Sequence, residues 1–292
     1  MQITHKSPLH SLQDLGRFGY SHLGISSAGA ADMLAHCWAN WLVDNPATAA
    51  TLECPGGGLR ARFDQDQWFS LTGADCQAQL NDRPLLPWRS YQARTGDQLV
   101  LGSPRAGQIA YLAVHQGFQT PLVLGSRAWA RRDQLGEIIS ESLPCHPSTG
   151  QPKAVAHRFI PSYQAPLTLQ LIPSYQFEAI QGDLQQGFEV TRLSDRMGIR
   201  LKARVPFTSA PIEQSESIAL GAVQIPPDGH PIVLNRDRQS LGGYPKLGCL
   251  TRLSLSMLAQ QRPGRIVGMQ PIELAQAQVK LTQLRQFFGD FT

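Results

Sequence analysis

The chain has no apolar run near the ~18–20 residues that a membrane-spanning helix requires, and no dense basic stretch. Its tightest group of like charges is Arg127, Arg131 and Arg132, whereas a nucleic-acid surface gathers its Lys and Arg on one face or in one run. With 26 Lys+Arg against 22 Asp+Glu the formal charge is only +4, so neither nucleic acid nor membrane is expected as a partner. Charged residues are scarce at 16%, and hydrophobic residues make up 42%, a balance that favours folding around a core over disorder. Residues 1–12 hold one fixed side-chain cation, Lys6, with no apolar run behind it, which reads as the lack of a secretory signal. The five cysteines (Cys37, Cys54, Cys76, Cys145, Cys249) are odd in number and form no Cys-x-x-Cys pair. Reduced thiols in a cytoplasmic protein are therefore expected.

Generic catalytic signatures are missing too. There is no Gly-x-x-x-x-Gly-Lys-Ser/Thr loop, no Gly-x-Gly-x-x-Gly, no His-Glu-x-x-His and no Gly-x-Ser-x-Gly. Pro55-Gly56-Gly57-Gly58 lacks a following lysine and helix, and reads as a turn.

Glycine and proline, by contrast, are plentiful. The 26 Gly and 21 Pro are about one residue in six, against roughly one in eight in an average protein. They are spread along the chain, as many short strands joined by tight turns would require. Leu59, Ala61 and Phe63 alternate with arginines; Cys76, Ala78 and Leu80 alternate with glutamines; Leu167, Leu169 and Leu171 alternate with Thr168 and Gln170. Apolar runs at 109–114, 221–225 and 232–234 add further strands. Helical spacing is confined to residues 31–43, a segment near 271–287 that opens with proline, and a short turn at 254–260. The pattern predicts a mainly β barrel or sandwich architecture with a few short helices. Residues 144–166, with five prolines, read as the linker between two halves at 1–150 and 151–292.

Several peptides carry more specific information. Gln13-Asp14-Leu15-Gly16-Arg17-Phe18-Gly19-Tyr20 is followed by Leu23-Gly24-Ile25-Ser26-Ser27-Ala28-Gly29-Ala30-Ala31-Asp32. Further on stand Val123-Leu124-Gly125-Ser126-Arg127, Ser194-Asp195-Arg196-Met197-Gly198, Gly221-Ala222-Val223-Gln224-Ile225-Pro226-Pro227, Asp237-Arg238-Gln239 and Gly242-Gly243-Tyr244-Pro245-Lys246. In this order they resemble the 5-oxoprolinase C-subunit family, also called allophanate hydrolase subunit 2 or the Kip anti-inhibitor family. The resemblance implies two cyclophilin-like β-barrel domains. It also implies a heteromeric partner, the KipI-like B subunit, and work with a separate A subunit in the ATP-dependent opening of 5-oxoproline to glutamate. ATP and Mg²⁺ are implied in the same way. Related segments form the carboxyltransferase region of urea carboxylase; this chain has no biotinyl Met-Lys-Met, so any biotin would come from a partner. The same family includes regulators that bind a B-type kinase inhibitor.

Within these peptides, Arg17 and Arg196 are candidates to hold a substrate carboxylate through a guanidinium fork; the alternatives are ion pairs to Asp14 and Asp195. Asp14 and Asp237 are candidates for proton transfer or Mg²⁺ binding, with an Asx turn as the alternative for Asp14. Asp32 is a candidate for the same roles, with stabilisation of the helix dipole in the first turn of 31–43 as the preferred alternative. Glu216 is either catalytic or a strand-end residue. Gln224 should face opposite to Val223 and Ile225, and that face is expected to be a pocket. Ser27, Gln239, Tyr244 and Lys246 complete the candidate substrate-binding set. Two departures from the usual family pattern stand out: Leu241 replaces a threonine, and Gln116-Gly117 replaces a double glycine.

Overall fold

The computed structural model describes residues 1–289, which divide into two units. The first contains Met1–Arg17 and Ala28–Gln164; the second contains Phe18–Ser27 and Ala165–Phe287. No helix among the described residues is long and apolar enough to cross a membrane.

Two five-stranded sheets make up the first unit. In one of them the long strand Ala106–Val114 runs antiparallel between Thr51–Pro55 and Gln67–Asp75, placing Tyr111 opposite both Glu53 and Thr72. Leu52, Phe69 and Leu112 are fully buried in its core, each adding roughly 1.5–3 kcal/mol of burial. Helix α1, Met33–Trp41, is capped by Asp32, whose side chain accepts from the Ala35 amide at 3.0 Å. Ser70 Oγ and Thr72 Oγ1 donate to the carbonyls of Ala39 and Ala35 and so pin α1 to the sheet. The alternation over 76–80 yields only the two-residue strand Gln79–Leu80, because Gln77 takes a positive φ of 49° that ends the extended run. Residues 144–164, read above as linker, pack onto this unit: Val155 and Tyr163 are buried.

In the second unit seven strands close into a barrel. Leu167–Pro173 pairs with Lys246–Leu250 on one side and, in parallel, with Ile266–Pro271 on the other. Ala222–Gln224, Ile232–Leu234, Gly198–Ala203 and Phe188–Ser194 complete the circuit. Closure needs glycine at 248, where a Cβ would stand 2.4 Å from the Ile172 carbonyl oxygen. The interior is filled by apolar side chains including Leu169, Phe188, Leu201, Val223, Ile225, Val233 and Val267. Helix α2, Arg252–Ala259, is capped by Thr251 and adds Leu255 and Leu258 to that cluster. Helix α3, Leu274–Phe288, follows the last barrel strand after Pro271.

Candidate functional site

The barrel interior is a packed core, so the expected pocket on the inner face is not there. Val223 and Ile225 point into that core, and Gln224 points outward. It is nevertheless only 1% exposed, because the segment 241–246 covers it. Gln224 Nε2 donates to the Tyr244 carbonyl at 3.3 Å, and Lys246 is its register partner on the neighbouring strand. Gly242 makes this covering possible: a Cβ there would lie 2.6 Å from Gln224 Nε2 and 2.2 Å from Ile218 Cδ1.

Beside Gln224 the short strands Glu216–Ser217 and Leu241–Gly242 pair with each other. Glu216 forms an ion pair with Lys246 and accepts a hydrogen bond from the Tyr175 hydroxyl. Lys246 Nζ also reaches the Ser217 carbonyl at 3.4 Å and stands 5.9 Å from the Tyr175 ring centre. Gln176 ties the group together, accepting from the Lys246 amide at 2.7 Å and donating to the Tyr175 hydroxyl at 3.0 Å. The Lys246 hydrogen bond, then that from Tyr175, holds the Glu216 carboxyl below its ordinary value. Donating to that carboxylate raises the Tyr175 phenol. The structure thus brings four of the sequence candidates together on the outside of the barrel: Glu216, Gln224, Tyr244 and Lys246. Tyr175 and Gln176 were not foreseen; nothing in their local sequence marks them.

A second group follows along the chain. Arg196 grips Asp237 with two parallel hydrogen bonds of 3.0 Å, Nε to Oδ2 and Nη2 to Oδ1. Asp195, the expected partner of Arg196, instead accepts from the backbone amides of Met197 and Gly198 and shapes the turn before Gly198–Ala203. Next in sequence, Arg238 donates to Ser27 Oγ and to the Ile218 carbonyl, each at 3.2 Å. Gln239 is half-buried. Arg238, inside a peptide already singled out, is the residue that links Ser27 to the strand-end carrying Glu216.

Asp14 and Arg17 belong to the first unit. The Asp14 carboxylate accepts from the Gly16 amide, Ser126 Oγ and the Arg127 amide, each at 2.7 Å. It therefore forms the Asx turn and also clamps the 126–127 loop. Arg17 is 2% exposed and donates to the carbonyls of Ala128 and Val123, at 2.6 and 3.5 Å. Nearby in the same unit is a buried group with no sequence motif behind it. Tyr111 donates to Glu53 Oε2 at 2.7 Å and accepts from the Asp32 amide at 2.8 Å, and Tyr163 donates to Asp32 Oδ2 at 2.9 Å. Burial, then the charges of Glu53 and Asp32, push the Tyr111 phenol well up; burial and Asp32 do the same to Tyr163. Both remain neutral donors at ordinary pH. Among the described residues no three His, Cys, Asp or Glu side chains group as metal ligands.

Comparison with known proteins places this geometry. Residues 23–271 match the family model for the carboxyltransferase domain, subdomains A and B. The 5-oxoprolinase C subunit of Haemophilus influenzae is 33% identical over 293 residues, 96% of this chain and 93% of the relative. The chain belongs to the carboxyltransferase-domain family. It is also similar to the solved structure of TTHA0988, with TM-score 0.82 and 28% identity. That match covers 92% of this chain but spans only 55% of TTHA0988. The fold recurs in the K. lactis urea amidolyase, with TM-score 0.87 and 21% identity, over 100% of this chain and 20% of that one. The resemblance read from the peptides and the mainly β architecture are both borne out.

Proposed function

We propose that this chain is the C subunit of a cytoplasmic, ATP-dependent 5-oxoprolinase, active with a KipI-like B subunit and an A subunit. The observation that carries the reading is the 33% identity, over nearly the whole of both chains, to a relative bearing that name. Its chemistry would be the opening of a lactam. The ring C–N bond breaks, hydroxyl from water goes to the carbonyl carbon, and a proton goes to nitrogen, giving glutamate. An unactivated amide resists this attack; transfer of the terminal phosphoryl group of ATP to the lactam oxygen, with release of ADP, activates the carbon, so that addition of water and cleavage of the C–N bond leave an acyl phosphate, which a second water hydrolyses to glutamate and phosphate.

For this chain we assign binding and orientation to the outer barrel cluster. Lys246 supplies a cation for the substrate carboxylate with Tyr244 beside it, and the buried Gln224 amide holds the 241–246 segment that carries both. Glu216 and Tyr175 hold the Lys246 ammonium in place. The carboxylates of Asp14 and Asp237 are buried and already engaged, Asp14 by three donors and Asp237 by the Arg196 fork, and in this arrangement do not fit the ion. A magnesium nucleotide would therefore be held by other groups of the assembled complex; Asp14 and Arg17 brace loops of the first unit, and Arg196 with Asp237 braces a corner of the second.

A second reading is favoured by the family match itself. A carboxyltransferase-like protein would accept a carboxyl group carried by a partner's biotin, and the K. lactis fold match is to a urea amidolyase. The deciding experiment mixes purified A and B subunits with and without this chain and measures glutamate released from 5-oxoproline and ATP. Release that requires all three supports the first reading. Release that needs only A and B overturns it, and urea-dependent use of carboxybiotin would establish the second.

A further inference from the structure

One cavity in the second unit uses none of the residues above. It has a volume of about 200 Å³ and lies between α3, the start of α2 and the barrel strand Lys246–Leu250. Leu253, Leu274 and Leu281 line it together with Cys249, Arg252 and Lys280. On α3, Leu274, Gln278, Leu281 and Arg285 recur at spacings of three and four and so share one face. That face carries Arg285 alongside the cavity's apolar wall, and its Nε is buried without a hydrogen-bond partner.

The two charged residues that line the cavity, Arg252 and Lys280, are both cations. The side-chain ion pairs of the second unit join Arg196 to Asp237, Arg200 to Asp228 and Lys246 to Glu216. Among the described residues, none takes up Arg252, Lys280 or Arg285. Lys280 donates to Gln170 Oε1 at 3.3 Å, a neutral acceptor. The Cys249 thiol does not supply the missing anion: it donates to the Leu220 carbonyl at 3.2 Å, and burial pushes its ionisation up. Burial lowers Arg252, the Cys249 thiol opposes that shift, and the neighbouring Arg285 adds to it. Arg252 and Arg285 are partly buried, Lys280 is exposed, and a partly buried cation with no carboxylate is a cost to folding that an anionic ligand would remove.

We infer that this cavity binds a small organic carboxylate with an apolar body, its carboxylate on Arg252 and its body among Leu253, Leu274 and Leu281. An apolar cavity of about 150 Å³ holds benzene, so a ring of that size with one carboxylate fits the space. The inference is independent of the lactam reading, since 5-oxoproline has no apolar body to place against three leucines.

Isothermal titration of the full chain with benzoate, benzyl alcohol, benzylamine and 5-oxoproline tests it. Benzoate should bind about tenfold or more tightly than benzyl alcohol, as loss of a charge-assisted hydrogen bond implies, and benzylamine should not bind. Arg252→Gln should weaken benzoate about tenfold and leave benzyl alcohol unchanged. Ala277→Phe, which fills the cavity from α3, should abolish both. Thermal melts of each variant check folding; if Arg252→Gln does not fold, Lys280→Gln and Ala277→Phe decide. Benzoate binding no tighter than benzyl alcohol overturns the inference, as does benzoate binding that survives Ala277→Phe. Displacement of benzoate by 5-oxoproline at equal concentration would also overturn it.

Discussion

Arg196 and Asp237, 41 residues apart, meet through a two-pronged guanidinium–carboxylate contact with both bonds at 3.0 Å. The Asp237 side chain is 2% exposed and that of Arg196 is 20% exposed. The Asp237 amide also donates to the Arg196 carbonyl at 2.7 Å, so backbone and side chains fix the same corner. Asp237→Asn keeps the shape and removes the charge, leaving a largely buried cation without its counter-ion. Removing one partner of a buried pair costs roughly 3–5 kcal/mol, and the partial exposure of Arg196 lowers this to about 2–4 kcal/mol. Urea denaturation of the chain should show that loss. Arg196→Lys should not rescue stability, because an ammonium cannot make two parallel bonds. A variant as stable as the parent would mean that the pair contributes nothing to folding and is held for a ligand.

Glu216 links the titrations of two neighbours. Its carboxyl is held below the ordinary 4.5, mainly by Lys246 and then by Tyr175. A depressed folded value means that the interaction is complete above the unfolded carboxylate pKa and is lost as pH falls through the lower folded value. The ion pair should therefore persist at pH 4.5 and open only in more acid solution. At the other end of the scale, Tyr175 is raised above 10.0 because it donates to this carboxylate. Glu216→Gln should bring the Tyr175 midpoint back towards 10.0. Carbon-13 NMR of labelled tyrosine, with Tyr175→Phe to assign the signal, reads it directly. An unmoved midpoint would show that the hydrogen bond is not made in solution.

Gly242 tests whether the covering segment matters for activity more than for folding. A methyl there meets Ile218 Cδ1 at 2.2 Å and Gln224 Nε2 at 2.6 Å, both ends of side chains that can turn aside. Gly242→Ala should cost only about 1–2 kcal/mol, the range for mild overpacking. The amide of Gln224 must move, however, and the register of Glu216 with Gly242 is disturbed. Turnover by the assembled complex should fall by more than the stability change accounts for. Equal losses in stability and in folded, active fraction would place Gln224 outside the working site.

The strands were legible because sheet burial leaves a period of two in the sequence. The alternation of Leu167, Leu169 and Leu171 became Leu167–Pro173, and the apolar triplet at 232–234 became Ile232–Leu234. All three helices were visible from spacing; the expected turn at 254–260 is the helix Arg252–Ala259. The face of the barrel on which Gln224 lies was not legible. Period two says that it opposes Val223 and Ile225, but not which face of the strand looks into the barrel. The partners of charged residues were equally hidden. Asp195 lies next to Arg196 in sequence yet serves the turn, and the true partner comes from a distant loop brought close by the pairing of Gly198–Ala203 with Ile232–Leu234. Contacts between residues far apart in the chain leave no local pattern, which is why Tyr175, Arg238 and the Glu53–Tyr111 pair emerged only from the fold.

Gln116 stands where the peptide resemblance implies a glycine. Its backbone has a φ of 66°, in the left-handed region, and Gly117 follows at 70°. A side chain there costs roughly 1–2 kcal/mol of local strain, while glycine would cost about 0.5–1 kcal/mol in extra unfolded-chain entropy. The Gln116 amide donates to Asn45 Oδ1 at 2.7 Å, a bond that glycine keeps. The Gln116 carbonyl accepts from Gln119 Nε2 at 2.8 Å, and this too is a backbone contact. Gln116→Gly should therefore stabilise the chain by up to about 1 kcal/mol, raising the urea midpoint with an unchanged slope. The turn belongs to the first unit and the Glu216–Lys246 cluster to the second, so glutamate release by the complex should not change. A fall in midpoint would show that the Gln116 side chain makes a contact worth more than its backbone strain.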